Sequence, residues 1–315
     1  ITIRVRVTGH YQGGVDRVGE ARRVISVANQ KNGLDPDLLP GFPLALGSSV
    51  EASPKLADID GDGIRDIVIV DSAGKLHVFV QKDGKPAEAI GFPYATRPLD
   101  GLNADLSSEV SVPSYAAATA YGETGIDPKI AREALVQAPA IGDLDGDGKP
   151  EIVFASWPGT VYAINSKGQD LPGWPQRLPL VHSCPLAPAT GVAERCADTR
   201  HRWARGTASA PVLADLDGDG RLEIVLTSFD GRLWVYGAGG AIRPGFPVEL
   251  SDRRIMNTPA AVDLTGDGRP EIIAGANPAY AVDAHGATLP SWPIVVDGQP
   301  LAPLTGEAVV SSPVS

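Results

Sequence analysis

Apolar and polar positions alternate in short segments along the chain, as in Gly74-Lys-Leu-His-Val-Phe-Val80, Gly159-Thr-Val-Tyr-Ala-Ile-Asn165 and Gly231-Arg-Leu-Trp-Val-Tyr-Gly237, with a weaker copy at Tyr280-Ala-Val-Asp283. A period of two predicts strands. Ahead of each lies a β-branched or apolar run, at 67–70, 152–154, 224–226 and 272–273, and a turn separates the two. The first run of each pair follows an acidic nonapeptide, and a proline stands four residues before that: Pro54, Pro139, Pro211 and Pro259. An aromatic-Pro pair closes each unit, at Phe92-Pro93, Trp174-Pro175, Phe246-Pro247 and Trp292-Pro293. These are strand-turn-strand units of one recurring kind.

The nonapeptide is Asp58-Ile-Asp-Gly-Asp-Gly-Ile-Arg-Asp66, then Asp143-Leu-Asp-Gly-Asp-Gly-Lys-Pro-Glu151, Asp215-Leu-Asp-Gly-Asp-Gly-Arg-Leu-Glu223 and Asp263-Leu-Thr-Gly-Asp-Gly-Arg-Pro-Glu271. The closest two copies start 48 residues apart, at Asp215 and Asp263, room for four short strands and their turns. That period predicts an all-β protein, a β-propeller of four-stranded blades. A fifth aromatic-Pro pair, Phe42-Pro43, follows the strand-like segment 23–28 without an acidic loop. At the other end, 309–315 resembles the strand that leads into a loop and stops short of the acids. The two partial units are complementary. We therefore expect four full repeats plus a composite fifth blade closed by the N- and C-termini, built from 1–7, 23–28, the region after Phe42 and the C-terminal strand. One domain would span 1–315, with insertions at about 96–134 and 178–207; the first holds a helix-compatible stretch, 127–135.

Carboxylates at loop positions 1, 3 and 5 put hard oxygen donors inside a tight turn, glycine at position 6 lets the position 7 carbonyl face inward, and position 9 adds a carboxylate. The candidate ligands are Asp58, Asp60, Asp62, the Ile64 carbonyl and Asp66 in the first loop. The second offers Asp143, Asp145, Asp147, the Lys149 carbonyl and Glu151, and the third Asp215, Asp217, Asp219, the Arg221 carbonyl and Glu223. The fourth has Asp263, Asp267, the Arg269 carbonyl and Glu271, with neutral Thr265 at position 3, so it is expected to be weakest. All-oxygen donors without His or Cys suit Ca²⁺ better than Zn²⁺ or Mg²⁺, and about four ions are expected. Position 12 holds Ile69, Phe154, Leu226 or Ala274 instead of the Glu of an EF-hand. Asp-Gly clusters also favour hairpin turns by themselves, but three or four acids within nine residues repel one another without a cation.

The repeats resemble the FG-GAP or VCBS repeats of the integrin α-subunit propeller and its bacterial relatives, over residues 23–315 apart from the insertions. The resemblance implies a calcium-bearing, extracellular or cell-surface propeller used in adhesion, in recognition of a glycan or protein ligand, or as a module beside an enzyme. Two departures stand out: Glu at position 9 in three loops where the integrin pattern has Asp, and five apparent units where seven are typical. The latter leaves room for the chain to be part of a larger propeller or multidomain protein. A polysaccharide-cleaving lyase or hydrolase that uses non-repeat acids such as Asp105, Glu109 or Glu123 is the competing class, and a structural spacer a third. No Gly-x-Ser-x-Gly elbow, phosphate loop or other catalytic motif is present, so the chain is read as a non-enzyme.

Composition sharpens this picture. Of 315 residues, 36 are Gly and 28 Pro, a turn-rich globular makeup below the level of low-complexity disorder. A formal net charge of -11 disfavours nucleic acid as a partner. The four loops hold fifteen of the 38 acids, so four calcium ions would leave a charge of about -3. No apolar run is long enough to cross a membrane, and the start carries neither an initiator Met nor the pattern of a signal peptide, as expected of a processed or excised chain. Cys184 and Cys196 lie in the second insertion, where a disulfide is expected; a zinc site with His182 and His201 is the alternative, though the spacing matches no common pattern. The aromatic-Pro residues recur in every unit, which favours packing between blades over sugar stacking. Trp157 and Trp203 break the repeat and, with Tyr115 and Tyr121 of the first insertion, are the candidate ligand contacts.

Overall fold

The computed structural model describes residues 2–9, 17–24, 39–98, 132–179, 181–182, 203–204, 206–250, 257–275 and 278–294, with the backbone alone for 2–9, 17–24, 181–182 and 203–204. Two compact units, Ile1–Ala45 and Leu46–Ser315, are distinguished by their internal contacts. In the first, β1 (Thr2–Gly9) and β2 (Arg17–Val24) pair antiparallel, with Thr2 opposite Val24 and Gly9 opposite Arg17. The partners expected to join them in a composite blade, 25–28 and 309–315, lie outside the described residues, and the stretch after Phe42 forms no strand among residues 43–50.

The second unit is a succession of antiparallel blades in which each strand neighbours the next in sequence. Blade 1 comprises β3 (Lys55–Ala57), β4 (Asp66–Val70), β5 (Lys75–Lys82), β6 (Lys85–Glu88) and β7 (Tyr94–Ala95), with β6 and β7 both pairing β5. The extra hairpin β5–β6 turns at Asp83-Gly84, both at positive φ, an Asp-Gly signal of the usual two-residue kind. Blade 2 holds β8 (Ala140–Gly142), β9 (Glu151–Ala155), β10 (Thr160–Ile164) and β11 (Gln176–Arg177). A short pair, β12 (Val181–His182) with β13 (Trp203–Ala204), stands before blade 3. Blade 3 is β14 (Val212–Ala214), β15 (Glu223–Thr227), β16 (Arg232–Tyr236) and β17 (Val248–Glu249). Blade 4 has β18 (Ala260–Val262), β19 (Glu271–Ala274) and β20 (Tyr280–Val282), with an isolated bridge, Ala279 to Ile294, in the place of a fourth strand. Among the described residues there is no helix; the last four residues of the helix-compatible stretch, 132–135, are not helical, and Arg132 bridges Pro98. The tertiary pairing overrides that local preference.

Each blade packs face to face on the next. In β9 and β10, Ile152, Phe154, Tyr162 and Ile164 join the core shared with blade 1, while Val153, Ala155, Val161 and Ala163 join the core shared with blade 3. In β15 and β16, Ile224, Leu226, Trp234 and Tyr236 face blade 2, and Val225, Leu233 and Val235 face blade 4. Both faces are covered, so these strands are near-continuous apolar runs and not alternating ones. Each fully buried aliphatic or aromatic side chain contributes about 1.5–3 kcal/mol.

Backbone contacts fasten neighbouring blades as well. Gly173, at φ 85°, lies against the Gly239 carbonyl, and Gly240 against that of Gly173; Gly245 and Gly286 repeat the arrangement between blades 3 and 4. A Cβ at any of these four would strike a carbonyl oxygen. The aromatic-Pro residues follow these turns: Trp174 and Phe246 are buried in the inter-blade cores, and the Trp174 indole donates to the Ala238 carbonyl of blade 3 at 2.7 Å. They are packing residues.

Candidate metal centre

Every acidic loop joins the first strand of a blade to the second. The position 2 side chains Ile59, Leu144 and Leu216 are buried and anchor the first three loops to the core. The N–H of the same residue donates to the position 9 carboxylate: Ile59 to Asp66 and Leu144 to Glu151 at 2.8 Å, Leu216 to Glu223 at 2.9 Å, Leu264 to Glu271 at 2.8 Å. The position 1 carboxylate gathers the N–H groups of both glycines, as Asp58 does from Gly61 and Gly63 at 2.8 Å each. Asp143, Asp215 and Asp263 repeat this. Both glycines sit at φ near +80°, a backbone that side chains with Cβ rarely adopt. The position 7 N–H donates to the position 5 carboxylate: Ile64 to Asp62, Lys149 to Asp147, Arg221 to Asp219 and Arg269 to Asp267.

The carboxylates converge in three loops. Oxygens of Asp58, Asp60 and Asp62 lie within 4.8 Å of one another, as do those of Asp143, Asp145 and Glu151, and those of Asp215, Asp217 and Glu223. Position 9 makes the difference between the first group and the others. Glu is one methylene longer than Asp, and Glu151 and Glu223 reach their clusters while Asp66 stays outside the first. Asp66 Oδ1 is sealed from solvent without a hydrogen-bond partner. Burial, with Asp60 and Asp62 nearby, raises the Asp66 pKa; burial and the other loop acids raise that of Glu151. Asp147 turns outward to the Lys149 ammonium at 3.1 Å, and Asp219 is exposed. In the fourth loop Thr265 interrupts the set, and its N–H donates to Glu271.

The opposite end of each blade, where the second strand turns into the third, carries the insertions. Strand pairing fixes this: Asp66 at the start of β4 lies opposite Ala57, and Val70 at its end opposite Leu76. The first insertion is pinched at its base, where Pro98 bridges Arg132 and the Thr96 hydroxyl donates to the Glu133 carbonyl at 2.8 Å. The second leaves and returns through β12 and β13. Glu133, buried, accepts from the Ser156, Thr160 and Tyr162 hydroxyls at 2.8–2.9 Å and fixes the first insertion to blade 2. At the same level His77 lies between Glu88, 2.6 Å, and Asp71, 3.4 Å, in blade 1, and the Trp234 indole donates to Ser228 at 2.8 Å in blade 3. Trp157 is 43% exposed and meets Phe229 edge-on at 5.0 Å. Trp203 belongs to β13 and His182 to β12, described by backbone alone. Tyr115, Tyr121, Asp105, Glu109, Glu123, Cys184, Cys196 and His201 lie outside the described residues.

Sequence reasoning did not single out Glu133 or Arg243. Arg243 reaches the third acidic loop, with Nη1 3.1 Å from Glu223 and Nη2 on Asp217. A signal existed for it alone: three residues before the aromatic-Pro pair, the other units carry Ala89, Leu171 and Leu289.

Residues 215–274, from the start of the third loop to the end of β19, match the FG-GAP-like repeat family. A comparison with curated protein sequences returned no match. Among solved structures, the chain is similar to BBS1N, crystallised in complex with ARL6DN and soaked with mercury, at 15% identity and TM-score 0.45, over 80% of this chain and 59% of the matched one. BamB from Moraxella catarrhalis is similar at 13% identity and TM-score 0.36, over 78% and 64%. The C-terminal domain of PilY1 from Pseudomonas aeruginosa is similar at 15% and 0.34, over 70% and 38%. The chain thus spans less than two thirds of each matched chain. The loop motif and the blade register make this a β-propeller domain, and its stretch 215–274 is similar to FG-GAP-like repeats.

Proposed function

We propose that the domain is an extracellular or cell-surface recognition module for a glycan or protein ligand, in which calcium fastens the acidic loops and the insertions at the opposite blade end carry specificity. The observation that supports the calcium reading best is the convergence of three carboxylate oxygens within 4.8 Å in each of the first two loops. The partnerless Oδ1 of buried Asp66 adds to it, since a sealed carboxylate oxygen without a donor calls for a cation. Asp58, Asp60 and Asp62 would hold the ion in loop 1, with the Asp66 carboxylate beside them, and Asp143, Asp145 and Glu151 would hold it in loop 2. The ion supplies positive charge that relieves repulsion among hard oxygen donors. The recognition reading is supported by two insertions rooted at one blade end beside the exposed Trp157, because binding residues concentrate on loops held by a rigid scaffold. The chain is read as a single domain with a disulfide between Cys184 and Cys196; partial proteolysis tests the first and thiol titration the second.

Melting in calcium and in chelator, with elemental analysis of the purified protein, tests the metal. A melting temperature that chelator leaves unchanged, together with no bound calcium, sinks that part. Screening glycan and protein arrays tests recognition, and the absence of any reproducible ligand on either array counts against it.

A further inference from the structure

The slot three residues before the aromatic-Pro pair is structurally the same in all four blades. Its N–H donates to the third strand in each: Ala89 to Val78, Leu171 to Ala163, Arg243 to Val235 and Leu289 to Ala281, at 2.8–2.9 Å. Leu171 is buried in the core between blades 2 and 3. Blade 3 alone places a guanidinium there, and it extends into the blade's own acidic loop. One arm meets Glu223 Oε1 at 3.1 Å and the other Asp217 Oδ2.

Both of these carboxylates belong to the loop's cluster with Asp215. Glu223 is 2% exposed and already accepts from the Leu216 N–H through Oε2, so Arg243 engages its second oxygen. Loop 1 differs at this point, since the second oxygen of Asp66 is without a partner. A second guanidinium, Arg269 from loop 4, leans over loop 3, with Nε 3.6 Å from where a Cβ on Gly218 would stand. Arg243 holds the Asp217 carboxyl below its ordinary range, with Arg269 adding to the effect.

We propose that the third acidic loop does not fit a tightly bound divalent cation, because Arg243 serves as its built-in counter-ion. The two arms of one guanidinium, each donating to a different carboxylate, supply charge and hydrogen bonds together. A calcium ion would have to displace the guanidinium and would gain only the difference. The acidic loops, nearly identical in sequence, therefore divide into cation-dependent loops and one that is closed in cis.

This inference rests on calcium binding by the other loops, and the test separates the two. Calcium bound per chain is measured by equilibrium dialysis for the wild type, Asp60→Asn, Arg243→Leu and Arg243→Leu/Asp217→Asn. Leu is the residue that blades 2 and 4 carry at this slot. The expected results are one ion fewer for Asp60→Asn, one ion more for Arg243→Leu, and loss of the gained ion in the double variant. Arg243→Gln, which keeps polar contacts and removes the charge, provides the same readout if the leucine variant does not fold. An unchanged count for Asp60→Asn would overturn calcium binding at loop 1 and leave the Arg243 comparison standing. Arg243 variants that bind no more calcium than the wild type overturn the proposal.

Discussion

The two ends of each blade are built on opposite plans. At the acidic end, nine residues repeat with the same backbone hydrogen bonds in every blade, and the position 1 and position 9 carboxylates hold the loop by accepting main-chain N–H groups. At the turn end, the buried polar groups differ from blade to blade: His77 between Asp71 and Glu88, Glu133 among three hydroxyls, Trp234 on Ser228. The uniform end concentrates negative charge, and the variable end supports insertions. A repeated structure thus separates what must be the same, the bend that starts each blade, from what is free to differ, the surface beyond it.

The largest expected effect breaks the comparison at the acidic end. A ligand at one hundred times its Kd adds about 2.7 kcal/mol per site, so chelation across several loops is expected to lower Tm by about 10 °C. Differential scanning calorimetry with and without excess calcium checks this, and an unchanged Tm would mean that the backbone hydrogen bonds suffice. Gly245→Ala asks whether packing, independent of ions, also holds the blades together. Its Cβ would strike the His285 carbonyl at a φ of 90°, and a loss of about 3 kcal/mol is expected even in saturating calcium, read from urea unfolding.

Glu133→Ala sharpens the comparison from the turn end. It strips three buried hydroxyls of their acceptor and is expected to cost about 2 kcal/mol, with calcium stoichiometry as in the wild type. A change in bound calcium would show that the two ends are coupled. The smallest effect concerns pH. Burial raises the Asp66 pKa above its ordinary value, so the folded metal-free protein binds the proton more tightly than the unfolded chain. Stability in chelator should therefore fall as pH rises through that window. Asp66→Asn should lack this component, and parallel melting curves for the two proteins from acid to neutral pH would refute it.

Much of this was legible in the residue pattern because the information is local. Glycines at positions 4 and 6, a buried Ile or Leu at position 2 and a carboxylate at position 9 act within nine residues, so the loop can be read from its own sequence. The strands of blades 1 to 4 could be placed from their apolar runs for the same reason. The pattern did not reveal that β9, β10, β15 and β16 are buried on both faces, since that depends on the blades on either side. It also treated the third loop as the equal of the first two.

By itself, then, the sequence determined the repeat, the turns and the acidic donor set, because each depends on contacts among neighbours in the chain. Tertiary structure decided which of those donors are engaged by other groups. Arg243 is twenty residues beyond Glu223, and only the return of the chain past β16 brings its guanidinium to the loop. The same holds for Glu133, which meets Ser156, Thr160 and Tyr162 only after blade 2 has folded. Charge compensation and hydrogen-bond satisfaction are properties of distance in space, and distance in space is set by packing.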